Sequence, residues 1–193
     1  MQIPGPCGPL EAALDEAENP SSTFAILCHP HPQYGGSMHD AVLATTAAVF
    51  LDHGINCLRF NFRGVGASAG RYDQGVGEVD DLIAAKQWMC ESYQCAELWL
   101  AGYSFGSSIV WKSLDQLAPS RVFLIAPPIG AMNFEPRTAE GNVHAIAGRA
   151  DDFVDVNALE RLLPATTTII EGADHFFSGA HKPLADALHT AIG

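Results

Sequence analysis

The chain has 193 residues, 48% of them hydrophobic, and carries 10 Lys and Arg against 22 Asp and Glu, a formal net charge of -12. That length predicts one domain spanning the chain, burying about 70% of the unfolded surface on folding. The acid excess argues against nucleic acid and against anionic membrane surfaces as partners, since both require basic patches.

In chain order, the first few residues and Leu10–Asp15 are expected to add antiparallel edge strands. Thr23–Cys28 is a short apolar run, read as a buried strand. Residues 38–53 have helical periodicity and stop at Gly54, a suitable residue past a helix end. A strand over 55–62 leads into a glycine-rich loop, 64–77, and an amphipathic helix over 78–93. The strand 96–101 then runs into Gly102-Tyr103-Ser104-Phe105-Gly106 and a helix over Phe105–Leu117. Strands follow at 121–126, closed by Pro127-Pro128, at 143–147 and at 166–170, with helices near 156–163 and 183–192. Short apolar strands alternating with helices predict an α/β fold, its mostly parallel central sheet covered by helices on both faces.

Five cysteines, Cys7, Cys28, Cys57, Cys90 and Cys95, are read as reduced thiols. Cys28 and Cys57 lie inside apolar strand patterns, and Cys90 and Cys95 lack metal-site spacing. The chain opens without a basic start and apolar stretch. Its longest mostly apolar segment, 41–51, is far below the ~20 residues that span a bilayer. A cytoplasmic location and no membrane partner are expected.

The G-Y-S-F-G pentapeptide at a strand-to-helix junction carries the functional reading. So tight a turn forces its central residue, Ser104, into a strained conformation with Oγ at the tip. The flanking Gly102 and Gly106 are expected because a Cβ there would strike the neighbouring strand or helix. A serine hydroxyl is a weak nucleophile and needs a base oriented by a third group. On an open parallel sheet such groups gather after the C-terminal ends of strands. His175, in a glycine-containing turn after the last strand, is the expected base. Asp151, after the penultimate strand in G-x-x-D-x-x-V spacing that resembles the acid loop of the α/β-hydrolase superfamily, is the preferred acid, with Asp152 one residue out of that register. Asp155 is read as a helix N-cap and Asp174 as a loop-holding residue. The order Ser104, Asp151, His175 is that of an α/β-hydrolase triad.

An oxyanion forming on a substrate carbonyl needs two donors. The Phe105 amide is one. The other is sought in His29-Pro30-His31-Pro32-Gln33-Tyr34-Gly35-Gly36, where the prolines have no N–H; the His31 amide is preferred, with Gln33 and Tyr34 as alternatives. A metal site at His29, His31, His39 and Asp40 is disfavoured by the intervening prolines, and His29 is expected to bond backbone beneath the site. The loop 63–70 lacks G-x-G-x-x-G spacing, so a dinucleotide site is not expected; Arg63 is read as bridging loop carboxylates.

With H-P-H-P…G-G at 29–36, R-F-N-F-R-G-x-G-x-S at 59–68, G-x-S-F-G at 102–106 and G-A-D-H-F-F at 172–177, the chain resembles the small, lidless bacterial branch of the α/β-hydrolase superfamily. The resemblance runs from about Leu10 to Ile192. It implies an ester-, thioester- or amide-cleaving enzyme with an acyl-serine intermediate and no metal or organic cofactor. Only 127–142 separates the strands between which larger relatives insert a cap domain, so no cap and an open site are expected. Tyr34, Tyr72, Phe134, Phe153 and Phe176 are candidate apolar walls, with Tyr34, Phe153 and Phe176 favoured for substrate contact. The expected reaction is hydrolysis of small to medium carboxylic esters, the partner being a small-molecule ester. A peptidase or amidase of the same fold and a non-catalytic binding protein are the alternatives. Monomer and homodimer remain equally open.

Overall fold

Four of the parallel strands are apolar along nearly their whole length, and that sets the architecture. In the computed structural model, which describes residues 1–135 and 142–193, strands β3 (Thr23–Cys28), β5 (Glu97–Tyr103), β6 (Arg121–Ile125) and β7 (Val143–Gly148) are each buried at most positions. A strand buried on both faces must be covered on both faces. The eight-stranded sheet among the described residues runs β1-β2-β4-β3-β5-β6-β7-β8, with β1 (Gln2–Ile3), β2 (Leu10–Asp15), β4 (Asn56–Phe60) and β8 (Thr167–Ile170) completing it. The β1–β2 and β2–β4 pairs are antiparallel and all others parallel.

From β3 the chain crosses to β4 on one side, then returns past β3 to β5 on the other. Right-handed crossovers in opposite directions put their helices on opposite faces. Accordingly α1 (Ala41–Asp52) packs with α5 (His181–Ile192), and α2 (Gly77–Ser92) packs with α3 (Phe105–Leu117). A short α4 (Val156–Leu162) links β7 to β8. The reversal of strand order opens a crevice at the C-terminal ends of β3 and β5, the expected position for a ligand.

The expected elements are all present, with ends shifted by up to three residues. The largest shift is at α1, which starts at Ala41 because the Asp40 carboxylate accepts from the amides of Val42 and Leu43 and caps the helix. No helix among the described residues is long and apolar enough to cross a membrane.

Two arginines tie down the loops around β4. Arg59 pairs with Asp15 at 2.7 Å. Arg63 is buried and donates from Nε and Nη2 to both oxygens of Asp81, at 3.0 and 2.8 Å. This corrects the expected bridge between loop carboxylates: the main partner is on helix α2, and the loop residue Asp73 lies farther off, at 3.9 Å. The buried Glu78, one residue into α2, accepts from the amides of Asp73 and Gly75 and so closes the glycine-rich loop.

Helix α3 lies so close to β3 that a Cβ on Gly106 would overlap the Cys28 carbonyl, and one on Gly102 would overlap the Gly106 carbonyl. In a helix, Gly→Ala ordinarily stabilises by about 1 kcal/mol. Here Gly106→Ala is expected to destabilise by roughly 3 kcal/mol, through forced separation of strand and helix. Urea denaturation against wild type measures the sign directly.

Candidate active site

Ser104 joins β5 to α3 with φ 52° and ψ -117°, a backbone region that side-chain-bearing residues rarely occupy. Its amide continues the sheet ladder by donating to the Ile125 carbonyl at 2.9 Å, so the turn begins only after the last strand bond. The side chain stands above the sheet edge, at the N-terminus of α3.

Two further loops meet it there. After β7, the chain turns at Gly148, where a Cβ would overlap the Ala173 carbonyl. The Ala150 amide donates to that same carbonyl at 3.0 Å, so the loops after β7 and β8 are joined directly. Asp151 accepts from the Phe153 amide through Oδ1, leaving Oδ2 to face His175. The His175 loop is built by Asp174, whose carboxylate accepts from the amides of Phe176 and Ser178, and is anchored by the fully buried Phe177. Those amide bonds hold the Asp174 carboxyl below its usual pKa.

The result is a continuous hydrogen-bond chain. His175 Nε2 is 2.9 Å from Ser104 Oγ, and His175 Nδ1 is 2.8 Å from Asp151 Oδ2. A carboxylate only accepts, so Nδ1 carries the proton and Nε2 presents its lone pair to the serine hydroxyl. Asp151 and His175 are both buried. Asp152 is exposed, and Asp155 caps α4 by accepting from the Ala158 amide at 2.9 Å.

Helix α3 contributes its first amide, that of Phe105, beside Ser104. The amides of Phe105 and His31 donate to no acceptor among the described residues. The His31 ring is wedged among Tyr34, Tyr72 and Phe105, with centroids 4.7, 5.0 and 5.0 Å away. Its Nδ1 accepts from the Gln33 amide and its Nε2 meets the Tyr72 hydroxyl at 3.1 Å. Desolvation pushes the His31 pKa down, against the pull of Glu78. Close packing also fixes the far side of this loop, where a Cβ on Gly36 would overlap the Pro30 carbonyl.

Beneath this loop His29 is fully buried, its Nδ1 2.6 Å from the Pro30 carbonyl and its Nε2 accepting from the Phe62 amide at 3.0 Å. Both nitrogens are therefore committed to backbone. Among the described residues no group of three or more His, Cys, Asp and Glu side chains is placed to hold a metal ion.

A cleft of about 340 Å³ opens over Ser104 and His175. Tyr34, Phe153 and Phe176 line it, 86%, 53% and 62% exposed, so each presents an aromatic face to solvent at the rim. Phe153 and Phe176 also flank the His175 ring, at 4.7 and 5.4 Å. Phe134 does not reach the cleft lining; it is buried and packs 6.0 Å from Trp111. Tyr72 is likewise absent from the lining and supports His31 from behind.

Tyr103 was not among the sequence candidates. It lines the cleft, its hydroxyl donates to the His175 carbonyl at 3.0 Å, and its ring lies 5.6 Å from the imidazole. Its place at the end of β5, directly before the serine, is the signal that could have marked it. Burial, with the carboxylates of Asp40, Asp151 and Asp174 adding to it, pushes the Tyr103 phenol well above its usual pKa.

An uncharacterized protein of Rickettsia prowazekii (strain Madrid E) is 33% identical over 203 residues, covering 96% of this chain and 84% of its own. The crystal structure of XC6422 from Xanthomonas campestris, described as an α/β serine hydrolase without lid, superimposes with a TM-score of 0.92 at 36% identity. That match covers all of this chain and 92% of the other. The chain belongs to the lidless α/β serine hydrolases. An α/β serine hydrolase homologue from Coxiella burnetii matches equally well, with a TM-score of 0.93 and 33% identity over 100% of this chain and 96% of that one. No family model matches the chain.

In this lidless hydrolase the buried His29 is a source of acid sensitivity. Desolvation lowers its pKa to about 4, although the bond to the Pro30 carbonyl opposes the shift. An unfolded histidine titrates near 6.5. Between these values the unfolded chain binds the extra proton, so stability falls as pH is lowered through that window, by on the order of 3 kcal/mol in total. Urea melts at pH 7, 5.5 and 4 are expected to show a shallower acid loss for His29→Gln than for wild type. Parallel curves would assign the loss to other groups.

Proposed function

We propose that the chain hydrolyses carboxylic esters or thioesters of small to medium acyl groups through an acyl-serine intermediate. The observation that carries this reading is the Ser104–His175–Asp151 hydrogen-bond chain at 2.9 and 2.8 Å. Nothing in folding requires those three side chains, drawn from three separate loops, to meet.

In the first half-reaction Ser104 Oγ attacks the substrate carbonyl carbon while its proton passes to His175 Nε2. Asp151, hydrogen-bonded to Nδ1, keeps the imidazole in the receptive tautomer and stabilises the imidazolium that forms. The carbonyl oxygen, now an oxyanion, accepts from the amides of Phe105 and His31, aided by the positive end of the α3 dipole. Collapse of the tetrahedral species breaks the bond to the leaving oxygen or sulfur, which takes the proton from His175. Water then enters, gives a proton to His175 and adds to the acyl carbon; collapse breaks the bond to Ser104 Oγ, which takes that proton back from His175 as the acid departs.

The cleft supports a modest acyl group. At about 340 Å³ it is near the lower end of small-molecule sites, and its aromatic rim faces solvent without a covering element among the described residues. Long chains would leave most of their length in water.

Labelling with a fluorophosphonate is expected to modify the native wild-type protein and leave Ser104→Ala unmodified. On p-nitrophenyl esters, Ser104→Ala and His175→Ala should each lower kcat by about 10⁶-fold, the loss measured for a serine protease triad. Absence of a serine-dependent adduct would remove the acyl-serine step. Faster cleavage of aminoacyl anilides than of the esters would replace esterase with amidase.

A further inference from the structure

We infer that the cleft selects substrates by charge, accepting uncharged and cationic esters and rejecting those with a carboxylate or phosphate within its reach, with Asp40 as the determinant. The inference rests on the hydrolase reading above and goes on to name the substrate class.

Its basis is the make-up of the lining. Apart from the imidazoles of His31 and His175, Asp40 is the one ionisable acid or base of ordinary charge among the described lining residues, and no lysine or arginine joins it. Asp40 uses a single oxygen, Oδ1, to accept both helix amides, at 2.8 and 3.4 Å. Its second oxygen accepts no hydrogen bond from a described residue and remains open to a ligand. The His181 imidazole bears on Asp40 from α5, and its Nδ1 is already engaged with Thr45 Oγ1 at 2.9 Å.

Asp40 also does not act alone. The Asp151 carboxylate stands behind the lining imidazole of His175, 2.8 Å from its Nδ1. Two carboxylates thus bear on the cleft, on a protein whose formal net charge is -12. A half-enclosed cleft with low-dielectric walls focuses such a field. Arg63 pairs with Asp81, Arg149 with Glu171 and Lys182 with Asp186, while Lys112, beside Gly75 and the Phe105 ring, donates to the Gly75 carbonyl and is not among the lining residues. An anionic substrate would therefore enter against the field and find no lysine or arginine among the described lining residues.

A cationic substrate meets the opposite conditions. The exposed faces of Tyr34, Phe153 and Phe176 offer negative π-surface around the cleft, which attracts ammonium groups. The same field has a consequence for turnover. Ester cleavage converts a neutral acyl group into a carboxylate, which the surrounding negative charge expels.

The test uses three p-nitrophenyl esters of matched length: pentanoate, hemiglutarate, and 4-(trimethylammonio)butanoate. At low ionic strength kcat/KM for the hemiglutarate is expected about tenfold or more below that for the pentanoate, with the cationic ester equal to or above it. The spread should narrow as salt is raised. Asp40→Asn keeps an oxygen to cap α1 and removes the charge; it should raise the hemiglutarate-to-pentanoate ratio severalfold. Hemiglutarate turnover equal to that of pentanoate, or a ratio unmoved in Asp40→Asn at intact thermal stability, would overturn the inference while leaving hydrolysis standing. Should none of the esters turn over, the hydrolase reading fails by itself. Titration of Ser104→Ala with the same esters then still reads charge preference, and tight hemiglutarate binding would overturn it.

Discussion

The positive-φ turn at Ser104 is the constraint on which the site depends. With φ 52° the residue is held where a side chain is disfavoured, at a cost of about 1–3 kcal/mol that surrounding structure must offset. The offset comes from both sides of the turn. Ahead of it the Ser104 amide stays in the β5–β6 ladder. Behind it α3 is pressed onto β3 and β5 with no space for a Cβ on Gly102 or Gly106. Relaxing the turn would require moving a helix off the centre of the sheet. The hydroxyl is thereby fixed by the backbone beneath it.

The same economy of space governs the other two groups. Gly148 lets the loop after β7 touch the Ala173 carbonyl, so Asp151 and His175 are referenced to each other before either is referenced to Ser104. Tyr103 supplies the third link, tying the His175 carbonyl to the residue next to the serine. Each functional side chain is thus positioned by backbone contacts among three loops. The single-tautomer His29 under the His31 loop extends this support to the fourth.

Much of this was legible in the sequence, because apolar runs and glycine positions report backbone geometry directly. Thr23–Cys28 and Phe105–Leu117 were read to the residue, since each is bounded by a turn signal of its own. The start of α1 was read three residues early: Met38 and His39 fit the periodicity, and the decisive event is the Asp40 side chain folding back on the Val42 amide. Distances across the fold were less legible. Arg63 finds Asp81, eighteen residues away on α2, and no local pattern marks that pairing. Phe134 and Phe153 are alike as letters, yet one is buried against Trp111 and the other stands at the cleft rim. Hydrophobicity says that a ring is available, and only the sheet topology decides which side of the boundary it falls on.

Asp40 joins local structure to chemistry most closely. Its carboxylate caps α1, and a cap requires a short side chain with an acceptor oxygen. Asparagine or serine would meet that requirement without charge. The cap position lies at the mouth of the crevice made by the strand-order reversal, so the choice of aspartate there also places a negative charge in the cleft. Partial burial raises its pKa, and the bonds from the Val42 and Leu43 amides oppose that rise in part. One residue therefore ends a loop, starts a helix and places its carboxyl group in the cleft lining.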